Sequence, residues 1–324
     1  MANRAVSVEY SAKTSFFRSH FLDGNGLYGP LVQGSDGDFY GSAWAGGSMN
    51  LGTVFRMTPG GTITVLHNFS GQGDDDLPVN GLVQATDGNL YGTTEGIPGC
   101  GSIFRITPAG SLTTLYTLPT DGSLGCYPSV TLLQHTNGVL YGGTFRGGNN
   151  TIVAEGAGVF FSLDLGLPPF VRLLPEASRV GQTVGIFGQG FTGTSAVKFN
   201  GTSVSFTVVS DKYLTAPVPS GATIGFVTVT TPNGTLTSNK KFQVRPQVLS
   251  FSPASGPVGT TVVITGVSLS GTTRVTFDGV DTTFTQNSDT QVTATVPTGA
   301  LTGHVGVTTT GAASYGHDVF MVTQ

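Results

Sequence analysis

Few residues in this chain could do chemistry, and their spacing argues against most of it. Five histidines, His20, His67, His135, His304 and His317, show no HExxH or other ligand spacing, so no metal site is expected. His304 and His317 fall in the same C-terminal segment, and they read as solvent-facing rather than as a ligand pair. The absence of a GxSxG string removes the strained elbow that exposes an esterase serine. Two GxGxxG strings, at 24–29 and 188–193, carry the glycines of a phosphate cradle. Neither opens a helix, which such a cradle requires, and a chain this rich in glycine yields about one such string by chance. No cofactor is expected.

Carboxylates call for more attention, because paired acids hydrolyse glycosides. Asp36 and Asp87 each precede a glycine between two short apolar runs, so turn geometry accounts for them. Asp23 and Asp121 recur in equivalent loops, and recurrence in register points to turns rather than to an asymmetric active site. Asp74-Asp75-Asp76 has the oxygen ligands for calcium, but a solvated loop is the reading preferred for the run. Cys100 and Cys126, the only cysteines, lie 26 residues apart in loops. An oxidising compartment would permit a bond between them, and two free thiols are the alternative. Trp44, Tyr28 and Tyr127 are the loop aromatics able to stack on a ligand such as a sugar ring. For Trp44 the plainer role is a half-buried loop anchor.

The elements that must position these residues are repeated. LVQGSDGDFYG (31–41) returns as LVQATDGNLYG (82–92) and LLQHTNGVLYG (132–142), with Gln33, Gln84 and Gln134 spaced by 51 and 50. Each copy reads as four short strands. In the second these are GLVQA, NLYGTT, SIFRIT and SLTTLYTL, separated by Asp-Gly and Pro-Ala-Gly turns. Period-two patterning puts Phe55 and Met57, or Phe104 and Ile106, on one face, with Arg56 and Arg105 on the other. Four antiparallel strands at this spacing describe a propeller blade. Only three copies are present, and the third lacks an evident fourth strand, while TSFFRSHF (14–21) resembles an orphan one. A truncated ring, an open arc, or half of a ring completed by a homodimer all satisfy this count.

From about residue 168 the period becomes 78. Pro175 and Pro253, Gly188 and Gly266, Phe199 and Phe277, Asp211 and Asp289, and Phe242 and Phe320 all obey it. Alternating strands with Gly, Ser and Thr turns every 8–12 residues predict two Ig-like sandwiches. The expected division is 1–166 for the repeat domain, 167–245 for the first sandwich and 246–324 for the second.

Composition agrees. Gly supplies 49 of 324 residues, charged residues are 10 % and hydrophobic residues 38 %, the balance of an all-β chain that can fill a core. The net charge of −4 has no basic cluster, so a nucleic-acid partner is not expected. No apolar run reaches 18 residues, so no membrane-spanning helix is expected. MANRAVSVEYSAKTSFF does not read as a signal peptide. The expectation is that an export signal was lost with an upstream segment.

Residues 82–105, and more loosely 31–56 and 132–161, resemble the GloVer tandem repeat of bacterial surface proteins. The opening SPASGPVGTTVVITG (252–266) and its counterpart near residue 175 are similar to IPT/TIG domains. The resemblances imply a repeat-built extracellular region carrying spacer or interaction domains. With no nucleophile–base set and sparse charge, the expectation is a non-enzymatic extracellular or cell-surface protein, a repeat platform displayed on Ig-like spacers, with a glycan or cell-envelope protein as partner. The rival expectations are a propeller-type polysaccharide-active enzyme and an intracellular protein-interaction scaffold.

Overall fold

The computed structural model describes residues 24–72, 76–78, 80–96, 98–148 and 157–324. The N-terminal TSFFRSHF segment, Asp23, Asp74, Asp75 and His20 lie outside these residues. The chain is all-β, with no α-helix among the described residues. It divides into two compact units between Pro168 and Pro169.

The first unit holds three antiparallel blades. Strands β1 (Val32–Gln33), β2 (Phe39–Ala43), β3 (Thr53–Met57) and β4 (Ile63–Asn68) pair in sequence order. So do β5 (Val83–Gln84), β6 (Leu90–Thr93), β7 (Ser102–Ile106) and β8 (Leu112–Thr117). The third blade comprises β9 (Cys126–Pro128), β10 (Leu133–Gln134), β11 (Leu140–Arg146) and β12 (Phe160–Leu163). Here β10, β11 and β12 pair in order and β9 pairs with the far end of β11, so among the described residues the outer fourth strand is lacking.

The repeat has a physical reason at each fixed position. Gln84 donates its side-chain amide to Gly88 O at 2.9 Å, closing its own turn, and its Oε1 accepts the Ser35 N–H of the preceding blade at 2.8 Å. Gln134 does the same with Gly138 O and the Thr86 N–H. Tyr40 and Tyr91 are fully buried and donate their hydroxyls to Asp36 and Asp87 at 2.6 and 2.8 Å. Both turn aspartates are therefore structural acceptors. After each tyrosine a glycine lets a ring lie on the backbone. A Cβ at Gly41, Gly92 or Gly142 would stand 2.7, 2.5 or 2.4 Å from Phe55, Phe104 or Phe161.

The blades bury their faces on one another, as tandem units that cannot fold alone must. Tyr40, Val54, Phe69, Leu82, Leu90, Phe104 and Ile106 form one core, joining residues of the first two blades. Ala85, Tyr91, Ile103, Leu132 and Leu140 form the next. Phe55, Phe104 and Ile106 are buried as the alternation predicts, whereas Met57, expected beside Phe55, is half-buried like Arg56 and Arg105.

The second unit contains two Ig-like sandwiches with separate cores, one around Phe191, Phe199 and Phe242 and the other around Leu269, Phe277 and Phe320. In the first, strands 172–174, 183–187, 213–217 and 207–210 face strands 202–204, 196–199, 227–231 and 234–237. The 78-residue period corresponds to shared fastenings. Asp211 Oδ1 accepts the Thr192 N–H at 3.1 Å, and Asp289 Oδ1 accepts the Ser270 N–H at 3.2 Å. Hydrogen bonding from Thr192 holds the Asp211 carboxyl below its ordinary range. Asn200-Gly201 and Asp278-Gly279 take positive φ at both residues, the hairpin geometry that Asn-Gly and Asp-Gly favour.

Candidate functional site

One edge of the repeat unit keeps its backbone constant while its side chains change. Four residues after each repeat tyrosine, at the exit of β2, β6 and β11, stand Trp44, Glu95 and Phe145. A segment preceding each blade's first strand folds back on this exit, through Asn25 with Ala45, Pro78 with Thr94, and β9 with Thr144–Arg146. Within that segment Gly26, Leu77 and Tyr127 take φ of 73°, 56° and 57°. They are 51 and 50 residues apart, like the glutamines. The left-handed conformation costs a non-glycine residue about 1–2 kcal/mol, so the pairing on either side imposes it. Trp44 N–H donates to Gly26 O at 2.9 Å and Glu95 N–H to Leu77 O at 3.0 Å. The first copy shows the requirement as a glycine; the others hide it behind Leu and Tyr.

A cleft of about 500 Å³ opens at this edge, lined by Asn80, Glu95, Tyr127, Pro128, Ser129, Phe145 and Arg146. Its walls are aromatic. The Arg146 guanidinium lies 5.7 Å from the Tyr127 ring centre and 6.0 Å from that of Phe145, and Phe145 is 67 % exposed. The half-buried indole of Trp44 donates Nε1–H to Glu95 Oε2 at 3.5 Å. Tyr28, 73 % exposed, meets Trp44 edge-on with ring centres 6.3 Å apart. The three loop aromatics singled out from the sequence thus come to one edge, with Trp44 and Tyr28 joined to the cleft through Glu95. Glu95, Phe145 and Arg146 escaped the sequence reading. For Glu95 and Phe145 the signal was the register they share with Trp44, 51 and 50 residues apart like the glutamines, whereas Arg146 carries no such signal.

Cys100 and Cys126 are disulfide-bonded, with Cα atoms 4.2 Å apart. Cys126 heads strand β9 rather than lying in a loop, because its segment pairs with β11. Tyr127, also in β9, donates its N–H to Cys100 O at 2.9 Å. The bond therefore clamps the backbone that carries Tyr127 into the cleft wall.

The remaining candidates fall elsewhere. His304 Nδ1 is 3.0 Å from Gly316 O, and His317 is fully exposed beside Asp318, so the two have separate partners. Asp76 is 8 % exposed, which corrects the solvated-loop reading for that residue. Asp76 O accepts the Gly96 N–H at 3.2 Å. No group of three metal-binding side chains occurs among the described residues. In the second unit a cavity of about 210 Å³ is lined by Ile224, Val244, Ser268, Asp289 and Thr310, among others.

Platform and sandwiches together define a repeat-bearing, Ig-like class of protein, and comparison of sequences makes the assignment definite. The chain belongs to the Gloeobacter/Verrucomicrobia repeat family, whose profile matches residues 5–174, and it carries two IPT/TIG domains at 168–244 and 246–319. No curated protein matches it. Among solved structures, a surface glycan-binding protein from Prevotella bryantii is 15 % identical, with a TM-score of 0.32, over 47 % of this chain and 41 % of its own. A glycan-binding protein from a xyloglucan utilization locus of Bacteroides uniformis is 19 % identical, with a TM-score of 0.24, over 47 % and 48 %. The chain thus spans less than half the length of either. A streptogramin B lyase is 16 % identical, with a TM-score of 0.29, over 90 % of this chain and 93 % of its own.

Proposed function

We propose that this protein is a non-enzymatic glycan-binding module of the cell surface or extracellular space. Its repeat unit holds the ligand and its two Ig-like sandwiches serve as spacers. The observation that carries the reading is the convergence of Tyr127, Phe145, Arg146 and Glu95 in one cleft, with Trp44 bonded to Glu95 beside it. Sugar rings present C–H faces that pack on aromatic side chains and hydroxyls that bond to carboxylate and guanidinium groups. Glycoside hydrolysis by the usual route needs two carboxyl groups across the scissile bond, and among the described residues Glu95 is the one carboxylate lining the cleft. That lining supports binding over cleavage. The disulfide supports an oxidising compartment.

The test is a glycan array probed with the full chain and with Trp44→Ala and Tyr127→Ala. Retention of specific glycans by the parent and their loss by both variants is expected. Equal retention by all three proteins would remove the cleft from the function.

A further inference from the structure

Building on that reading, we infer that the cleft takes a neutral, linear glycan laid across consecutive blades, gripping internal sugar units rather than a chain end. The repeat spends its recurring residues elsewhere: Gln84 and Gln134 bridge neighbouring blades, Tyr40 and Tyr91 close turns, and Gly41, Gly92 and Gly142 admit aromatic rings. The strand-exit position is different. There the backbone is held in the same geometry three times over, yet the side chain runs from Trp44 to Glu95 to Phe145. The order across the three blades is aromatic, acid, aromatic. A ligand that touches all three must extend from blade to blade, because each residue belongs to a different one. Blade repetition fixes the direction of that path, as it does on the extended surfaces of other repeat proteins.

Charge decides the class of glycan. Glu95 and Arg146 face the same cleft with opposite signs, and Arg146 lies over the aromatic rings. An anionic sugar would gain at one and lose at the other, so neither sign of ligand is selected. Hydroxyls gain from both, since a carboxylate accepts and a guanidinium donates. The outer rings of Trp44 and Phe145 then stack on sugar units at the two ends, while Glu95 bonds between them. Its carboxylate is already oriented by the Trp44 indole.

Isothermal titration calorimetry of the full chain tests this, with neutral glucan, mannan and xylan oligosaccharides from mono- to hexasaccharide. Uronic-acid oligomers of equal length serve as the charged arm. Affinity for one neutral series should rise at least tenfold with length and then level off. Trp44→Ala and Phe145→Ala should each remove roughly tenfold from the longest ligand, the scale of one aromatic contact. Trp44→Phe keeps a ring without the indole donor and should retain the length dependence, which separates lost stacking from misfolding. Length-independent affinity, or preference for the uronic series, would overturn this inference while leaving glycan binding intact. Binding to no sugar in any arm would overturn both.

Discussion

Gln84 Oε1 accepts the backbone N–H of Ser35 from 49 residues earlier in the chain, at 2.8 Å, while its amide nitrogen closes its own turn on Gly88. One side chain thus fastens a blade to its neighbour and fixes its own hairpin. Replacing it by leucine removes this partner from the Ser35 N–H and the Gly88 carbonyl together. Ser35 is exposed and takes water in its place, so Gln84→Leu should cost about 1 kcal/mol, read as a lower urea midpoint for the repeat unit with the sandwiches unaffected.

Gly92 lies under the Phe104 ring, where a Cβ would stand 2.5 Å from Cζ and 2.7 Å from Leu82. Both neighbours are buried, so neither can move aside freely. Gly92→Ala should destabilise by about 1–3 kcal/mol. Combining it with Phe104→Leu should cost less than the sum of the two single changes, and thermal unfolding of the four proteins measures that coupling.

Burial, followed by the hydrogen bond to Asp36, pushes the Tyr40 hydroxyl up to about 12, and the same causes raise Tyr91. An unfolded tyrosine loses its proton near pH 10. The folded state therefore keeps protons that the unfolded state has lost, and stability falls as pH rises from about 10 towards 12. Below pH 10 this contribution is fully present. Phenolate absorbance followed against pH should show these two tyrosines titrating late and together with unfolding. A single transition of all tyrosines near pH 10, with the fold intact, would contradict this.

Ser268 has φ 56° and a buried hydroxyl without a hydrogen-bond partner, and its counterpart 78 residues earlier, Gly190, has φ 68°. Ser268→Gly removes both the strain and the orphan hydroxyl, offset in part by the greater freedom of glycine in the unfolded chain. A gain of about 1 kcal/mol is expected, visible as a melting temperature higher by a few degrees.

Reducing the Cys100–Cys126 bond frees a loop whose ends are 26 residues apart, and loop-closure entropy sets the cost at about 3 kcal/mol. Because Tyr127 leans on Cys100 O, cleft affinity should fall along with stability. Calorimetry with and without reductant, at a temperature where the protein stays folded, reads the two effects separately.

Fold class and repeat boundaries were legible because they are written in local chemistry. Asp-Gly and Asn-Gly turns, period-two patterning in IFRIT, and matches at 51, 50 and 78 residues all act over a few positions or by simple recurrence. They settled the all-β architecture, the blades and the twin sandwiches. Contacts between copies followed no local rule. Gln84 looks like any strand-end glutamine, and nothing in the sequence says that its oxygen reaches Ser35. Leu77 and Tyr127 conceal a left-handed backbone that only Gly26 betrays. Arg146 is an ordinary residue until blade packing sets it beside Tyr127 and Phe145, and the register shared by Trp44, Glu95 and Phe145 does not by itself say that a cleft opens there. Sequence alone determined which units this chain is built from, since each unit is specified by its neighbours along the chain. Tertiary structure alone decided where the cleft lies, because a site assembled from neighbouring blades depends on distances between residues that the chain keeps about 50 positions apart.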